Sequence, residues 1–220
     1  MLTSGVRKLG YLGPRGTFSF QAAQSYQDAA SLYPFATFGE IFAALISSEI
    51  DSALLPIENS TDGPINEVLD GLIRHEDLII VSEMILPIEQ NLIGVRTAEL
   101  GALDVVVSIP VVLAQTRGWL EANLPVAERR ATTSTARAVE MLDSAEPRIA
   151  AIGTRSAAEI YGHKILAEAI QDNSNNVTRF VMVQRQPCTM TPPTGNDRTT
   201  LIVRVPDRPG SLARVLTVLA

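Results

Sequence analysis

Cysteine, tryptophan and histidine are scarce in this chain of 220 residues, which carries one cysteine, one tryptophan and two histidines. A single thiol, Cys188, cannot close an internal disulfide, and no Cys/His group has the spacing of a metal site. The first residues lack the charged-then-apolar order of a secretory leader. No apolar run approaches the ~20 residues of a membrane span. These absences lead us to expect a cytoplasmic protein that uses no membrane. Basic excess is missing too: 18 Lys+Arg stand against 24 Asp+Glu, a net charge of -6. Nucleic acid is a poor partner for such a chain, because phosphate backbones are bound by clustered cations. An anionic small molecule stays open, since salt screens fields over roughly 8 Å and local donors decide binding.

What is present is ordinary globular material, 46% hydrophobic and 19% charged, in a chain long enough for one sizeable domain or two lobes. Short apolar runs alternate with amphipathic stretches of helical length, which is the pattern of an α/β fold. Strands are expected at 8–12, 32–37, 52–57, 78–86, 105–108, 126–131, 148–152 and 180–184, and helices at 18–29, 40–49, 64–75, 110–123, 134–143 and 154–161. Pro64 and Pro110 are each read as the first residue of a helix, where a missing N–H costs nothing. The run 78–95 has no strong breaker except Pro87 and could cross from one lobe to another, with a return near Thr178 and a ligand cleft between. From Gln186 to Asn196 the chain turns polar and Pro-rich, as linkers do. Beyond it, 199–205 reads as a strand, Pro209-Gly210-Ser211 as a turn, and 212–220 as the start of a helix.

Two distant segments carry most of the chemistry. Pro56-Ile57-Glu58-Asn59-Ser60-Thr61-Asp62-Gly63 follows a strand, where ligands of α/β sheets bind and where polar residues are costly to bury without partners. Asn59 offers both a donor and acceptors and Ser60 a hydroxyl, whereas Glu58 would repel an anion unless paired. Asn176-Val177-Thr178-Arg179-Phe180 precedes another strand; the Thr178 hydroxyl can donate a hydrogen bond to a departing oxygen, and Arg179 can bind carboxylates or hold the loop. Gly13-Pro14-Arg15-Gly16-Thr17-Phe18-Ser19 lies between a strand and a helix. It is either an oxyanion site that uses Thr17 and Ser19, or a tight turn in which one of them caps the helix. Ser108 and Gln115, seven apart, could face one pocket or could be a cap and a solvated side chain. His75, His163 and Cys188 have no neighbouring partner that would make them catalytic.

In this order and spacing, those segments, with Gly63, Ser134-Thr135 and Ile170-Gln171-Asp172, resemble the prephenate dehydratase family over nearly the whole chain. The resemblance implies two α/β lobes of periplasmic-binding-protein type with an interlobe cleft. The catalytic domain would span 1–185, with one lobe at about 1–85 and 170–185 and the other at about 86–169. After the 186–196 linker, 197–220 is similar to the opening of an ACT regulatory domain, an incomplete α+β segment bearing Pro209, Gly210, Ser211 and Leu212. That similarity stops before the family's second phenylalanine-binding motif.

The implied reaction converts prephenate to phenylpyruvate in phenylalanine biosynthesis, with loss of CO2 and water and no cofactor or metal. The family's catalytic threonine falls on Thr178. Asn59, Ser60, Ser108, Gln115, Thr17, Ser19 and Arg179 would bind substrate, with Glu58 in support. Phenylalanine is implied as an effector of the full-length protein, and a homo-oligomer, dimer or tetramer, as its assembly. One departure stands out: many members carry Ser-His-Pro-Gln where this chain has Ser108-Ile109-Pro110-Val111. Arogenate as substrate, or a non-catalytic two-lobed binding module, are the competing readings, and turnover separates them.

Overall fold

In the computed structural model, which describes residues 8–26, 31–144, 146–188 and 193–219, the apolar runs become the strands of two sheets. Contacts divide the chain into two units, Met1–Thr189 and Met190–Ala220. The first unit begins with β1 (Leu9–Leu12), α1 (Phe18–Gln24), β2 (Leu32–Phe35), α2 (Phe38–Ile46), β3 (Ser52–Asn59), β4 (Gly63–Pro64), α3 (Asn66–Arg74) and β5 (Leu78–Pro87). It continues with β6 (Asn91–Gly94), β7 (Val105–Ser108), α4 (Pro110–Gln115), α5 (Arg117–Asn123), β8 (Glu128–Ala131), α6 (Thr135–Glu140), β9 (Ile149–Gly153), α7 (Arg155–Tyr161) and β10 (Lys164–Ala167), and ends with β11 (Val177–Arg185).

The strand order is β2-β1-β3-β11-β5 in one sheet, with β4 beside β3, and β10-β6-β9-β7-β8 in the other. Each sheet is the centre of one α/β lobe. The chain crosses between lobes twice, at 88–90 and again before β11. The crossings are bonded together: Ile88 N–H donates to Asn176 O at 2.9 Å, and Ile170 N–H to Gln90 O at 2.8 Å.

Both faces of each sheet are covered by helices, so the central strands are apolar on both sides. Along β3, Ala53, Leu55 and Ile57 face α2 and α3, while Leu54 joins Phe20, Phe180 and Met182 beneath α1. The second lobe divides likewise, with Leu92, Val106 and Ile152 toward α4 and α5 and Ile93, Val107 and Ala151 toward α6 and α7.

Several expected elements differ. The 64–75 helix begins only at Asn66, because Gly63 and Pro64 pair with Asn59 and Glu58 as a short strand; Pro64 is therefore not a helix-opening proline. The 110–123 helix is two helices that meet at Thr116 (φ -115°, ψ 11°). Asp172 draws off the Gly118 and Trp119 N–H groups at 2.9 and 3.0 Å, which interrupts the i→i−4 ladder. The 18–29 helix ends at Gln24, and its expected residues 27–29 lie outside the described residues. β6 and β10, four residues each, were not expected at all.

In the second unit, the expected strand at 199–205 is not one. No described strand lies beside it to take up its N–H and C=O groups, and Leu201, Ile202 and Val203 are more than half exposed. α8 (Ser211–Leu219) follows the Pro209-Gly210 turn, where Gly210 has φ +82°. Ser211 is buried and Leu212 exposed. Among the described residues, no helix is long and apolar enough to cross a membrane.

Two features of the first lobe yield tests. A Cβ on Gly71 would come within 2.1 Å of the Phe42 ring, so α2 and α3 pack at glycine distance. Gly71→Ala gains about 1 kcal/mol of helix propensity against an overpacking cost of up to about 3 kcal/mol. We expect a lower Tm, partly restored by adding Phe42→Leu. Tyr11 is fully buried, and its hydroxyl has no hydrogen-bond partner among the described residues. Burial pushes its pKa up to about 12, with the Arg15 charge opposing. Above pH 10 the unfolded chain loses this proton and the folded one does not, so stability falls as pH rises from about 10 to about 12. Tyr11→Phe should keep Tm at neutral pH and flatten that alkaline decline; an unchanged decline would contradict the assignment.

Candidate active site

Between the sheets of the first unit lies a cavity of about 440 Å³. Its first-lobe wall includes Thr17, Ser19, Pro56, Asn59, Thr178 and Phe180. Its second-lobe wall includes Ile109, Val111, Val112, Gln115, Thr133, Ser134 and Thr135, and Ile88, Gln90 and Asn176 form the back, on the crossings. Among the described lining residues Asp62 alone is charged. The wall is thus built of neutral donors, acceptors and aliphatic groups.

The pairing of β3 with β11 brings the two distant segments together, with Asn59 directly opposite Thr178. The Asn59 carboxamide is oriented without ambiguity, since its Oδ1 accepts from the Thr61 and Asp62 N–H groups at 2.9 and 3.0 Å. Its Nδ2 must then face β11. There it donates to Asn176 Oδ1 at 2.8 Å and Thr178 Oγ1 at 2.9 Å, with Val177 O at 3.3 Å. Thr178 Oγ1 is therefore an acceptor inside the protein, and Thr178 lines the cavity.

The network continues across the cleft. Asn176 Nδ2 donates to Gln115 Oε1 at 3.4 Å, and Gln115 Nε2 donates to Asp62 Oδ2 at 2.8 Å. Because Asp62 N–H returns to Asn59 Oδ1, the side chains of Asn59, Asn176, Gln115 and Asp62 close a ring joining both lobes. A second interlobe bond lies at the other side: Thr154 Oγ1 donates to Gly16 O at 2.7 Å while accepting from Ala157 N–H. Gly16, at φ +84°, has no room for a Cβ, which would meet the Ala157 side chain at 3.0 Å.

Of the residues singled out in the sequence, Thr178, Asn59, Gln115, Thr17 and Ser19 line the cavity. Thr17 does so as the cap of α1, accepting from Phe20 N–H at 3.2 Å, with Leu12 and Pro14 carbonyls near its hydroxyl. Ser108, Ser60, Arg179 and Glu58 do not line it. Ser108 is fully buried and donates to Ile152 O at 2.9 Å, stitching β7 to β9. Ser60 clips the crossing loop, donating to Asn175 O and accepting from Val177 N–H. Arg179 follows Thr178 on a strand and so points to the opposite face. There it pairs with Glu58 at 3.0 Å and Glu83 at 3.5 Å. His75 stacks on Phe42 and His163 contacts Asp143 at 3.1 Å, both away from the cavity.

Gln90, Asp62 and Thr133 were not foreseen as cleft residues. Their signal was available: Glu89, Gln90 and Asn91 form a polar break between the apolar stretches 84–88 and 92–95, and Thr132-Thr133-Ser134-Thr135 is a hydroxyl cluster after a strand, like Asn59-Ser60-Thr61.

Comparison with known proteins agrees with this geometry. The chain matches the prephenate dehydratase family over residues 9–188. It is 37% identical to a bifunctional chorismate mutase/prephenate dehydratase of Stutzerimonas stutzeri, over 95% of this chain and 56% of that protein. It is also 37% identical to a prephenate dehydratase of Amycolatopsis methanolica, over 98% of this chain and 70% of that one. A prephenate dehydratase structure from Arthrobacter aurescens, solved in complex with L-Phe, superposes with a TM-score of 0.87 at 33% identity, covering 95% of this chain and 70% of that one. The chain thus spans little more than half the length of the bifunctional relative. With the matched span reaching from β1 into the residues just past β11, and the cleft lying within it, this chain belongs to the prephenate dehydratase family.

Proposed function

We propose that the chain catalyses the decarboxylating dehydration of prephenate to phenylpyruvate in the cleft of its first unit. The observation that carries this reading is the Asn59 Nδ2–Thr178 Oγ1 bond of 2.9 Å. It leaves the threonine a donor with its hydrogen aimed outward, the property needed to stabilise a departing oxygen. The bond from the ring to its carboxylate breaks and CO2 departs, its electron pair entering the ring. The C4–O bond then breaks with its own pair. Thr178 donates to the leaving oxygen as charge develops there, and the hydroxide takes a proton from solvent to become water. Aromatisation drives the step, so the protein needs to supply orientation and one well-placed donor.

The neutral lining fits this division of labour. A cage of arginines would hold substrate and transition state about equally, and uniform binding does not raise kcat. Gln115, Ser19 and Thr17 are our candidates for contact with substrate oxygens, joined by Ser134 and Thr135, while Asn59, whose amide is taken up inside the protein, serves the substrate through Thr178. Ser108, Ser60, Arg179 and Glu58 support the walls from outside. Ile109 and Val111 make one side of the cleft apolar and suit the ring. We read 197–220 as the opening of a regulatory domain, with phenylalanine as effector through Pro209, Gly210, Ser211 and Leu212, and we expect a cytoplasmic homo-oligomer.

The test follows phenylpyruvate release from prephenate, with arogenate assayed beside it. Thr178→Ala should lower kcat by on the order of 10²-fold, while Thr178→Ser, which keeps the hydroxyl, retains most activity. Near-normal turnover by the alanine variant would remove Thr178 from the mechanism. Binding of prephenate by the unaltered chain without product would make the protein a receptor.

A further inference from the structure

Gln90 lies at the back of the cleft, on the first crossing between the lobes, and is 1% exposed. Its backbone is held from both sides. The Gln90 N–H donates to Gln171 Oε1 at 2.9 Å, and its carbonyl accepts from Ile170 N–H at 2.8 Å. These bonds fix the peptide between the two crossing segments. The side chain has no such assignment: Gln90 Oε1 is buried and has no hydrogen-bond partner among the described residues.

A buried carboxamide oxygen without a partner destabilises a fold. Methionine or leucine would fill the same space among Ile88, Ile109 and Val112 without that cost. The amide also cannot be serving the hinge, since the hinge bonds use the main chain and Gln171. What remains is the cavity that Gln90 lines together with Asn59 and Thr178.

We infer that Gln90 is a substrate-contacting residue whose carboxamide hydrogen-bonds the polar groups of the bound ring acid. Its oxygen takes a hydroxyl or ammonium donor of the ligand, and its NH2 is available to a carboxylate or keto oxygen. This assignment rests on the function proposed above and deepens it. A carboxamide can present either end to a ligand, so it accepts a keto acid or an amino acid at the same position. Asp62, by contrast, has its carboxylate taken up by Gln115. Gln90 is therefore a buried polar group with an oxygen to offer the cleft, set by a rigid main chain rather than by a loop.

The test replaces the amide by an apolar group of similar volume, Gln90→Met, and reads Tm, kcat and KM for prephenate on the unaltered and variant chains. A substrate contact predicts an unchanged or higher Tm, because an unpartnered oxygen is removed, together with a fall in kcat/KM of about tenfold or more. Equal kcat/KM overturns the inference. So does a lower Tm at unchanged kcat/KM, the mark of a structural amide. Gln90→Glu, nearly identical in shape, covers the case in which the methionine variant does not fold. Its extra negative charge should repel a dianion and raise KM more than tenfold or so, and an unchanged KM overturns the inference. Failure of the proposed function is distinguished by the unaltered chain, which would then release no product from prephenate.

Discussion

The site depends on the carboxamide of Asn59. Its oxygen is pinned by two backbone N–H groups of the following turn, so its nitrogen has no choice but to face β11, where it meets Thr178 and Asn176. We read that orientation as turning a threonine into a donor aimed at the cavity. Reversing the amide would set two N–H groups against the Thr61 and Asp62 N–H groups and place an oxygen beside Thr178 that takes up its O–H. For the proposed reaction a fixed amide is more useful than a charge, because it costs no rearrangement as charge develops.

The partners of the Asn59 nitrogen come from the way the lobes are joined. β11 is the strand on which the chain returns to the first lobe, and it is paired on both sides, between β3 and the edge strand β5. Thr178 therefore sits at a strand end rather than on a mobile loop. The crossings at 88–90 and 168–176 are hydrogen-bonded to each other. Asp172 ties the second crossing to the start of α5 through two N–H groups, and its own N–H bonds the Gln115 carbonyl at 2.7 Å. The residue that reaches across the cleft is thereby anchored to the hinge. With the Thr154–Gly16 bond on the other side, the two walls are linked at both margins of the cavity.

Much of this was legible before any coordinates. Polar residues at the ends of apolar strands marked Asn59, Thr178 and the Gly13–Ser19 loop, because burying such groups requires partners. The errors have physical causes. Thr178 and Arg179 do not both face one cavity, because β11 begins at Val177, ahead of the strand expected at 180–184, and adjacent strand residues alternate. Ser108 looked like a pocket hydroxyl, but a buried O–H beside a neighbouring strand finds a carbonyl first. The break at Thr116 was invisible because its cause, Asp172, lies more than fifty residues away. The strand expected at 199–205 had the right residues, yet strands exist only in company. Gln90 stood in plain view in the polar break Glu89-Gln90-Asn91; only the meeting of the two crossings gives it a cavity to face.

The central claim is that Asn59 acts through Thr178, not beside it. A double-mutant cycle tests this directly, with kcat/KM measured for Asn59→Ala, Thr178→Ala and the pair, each confirmed as folded. If the amide serves to aim the hydroxyl, the double variant is about as slow as the slower single one, a coupling of about 2 kcal/mol or more. If the two losses multiply, the residues work independently, and Asn59 does not aim the hydroxyl of Thr178.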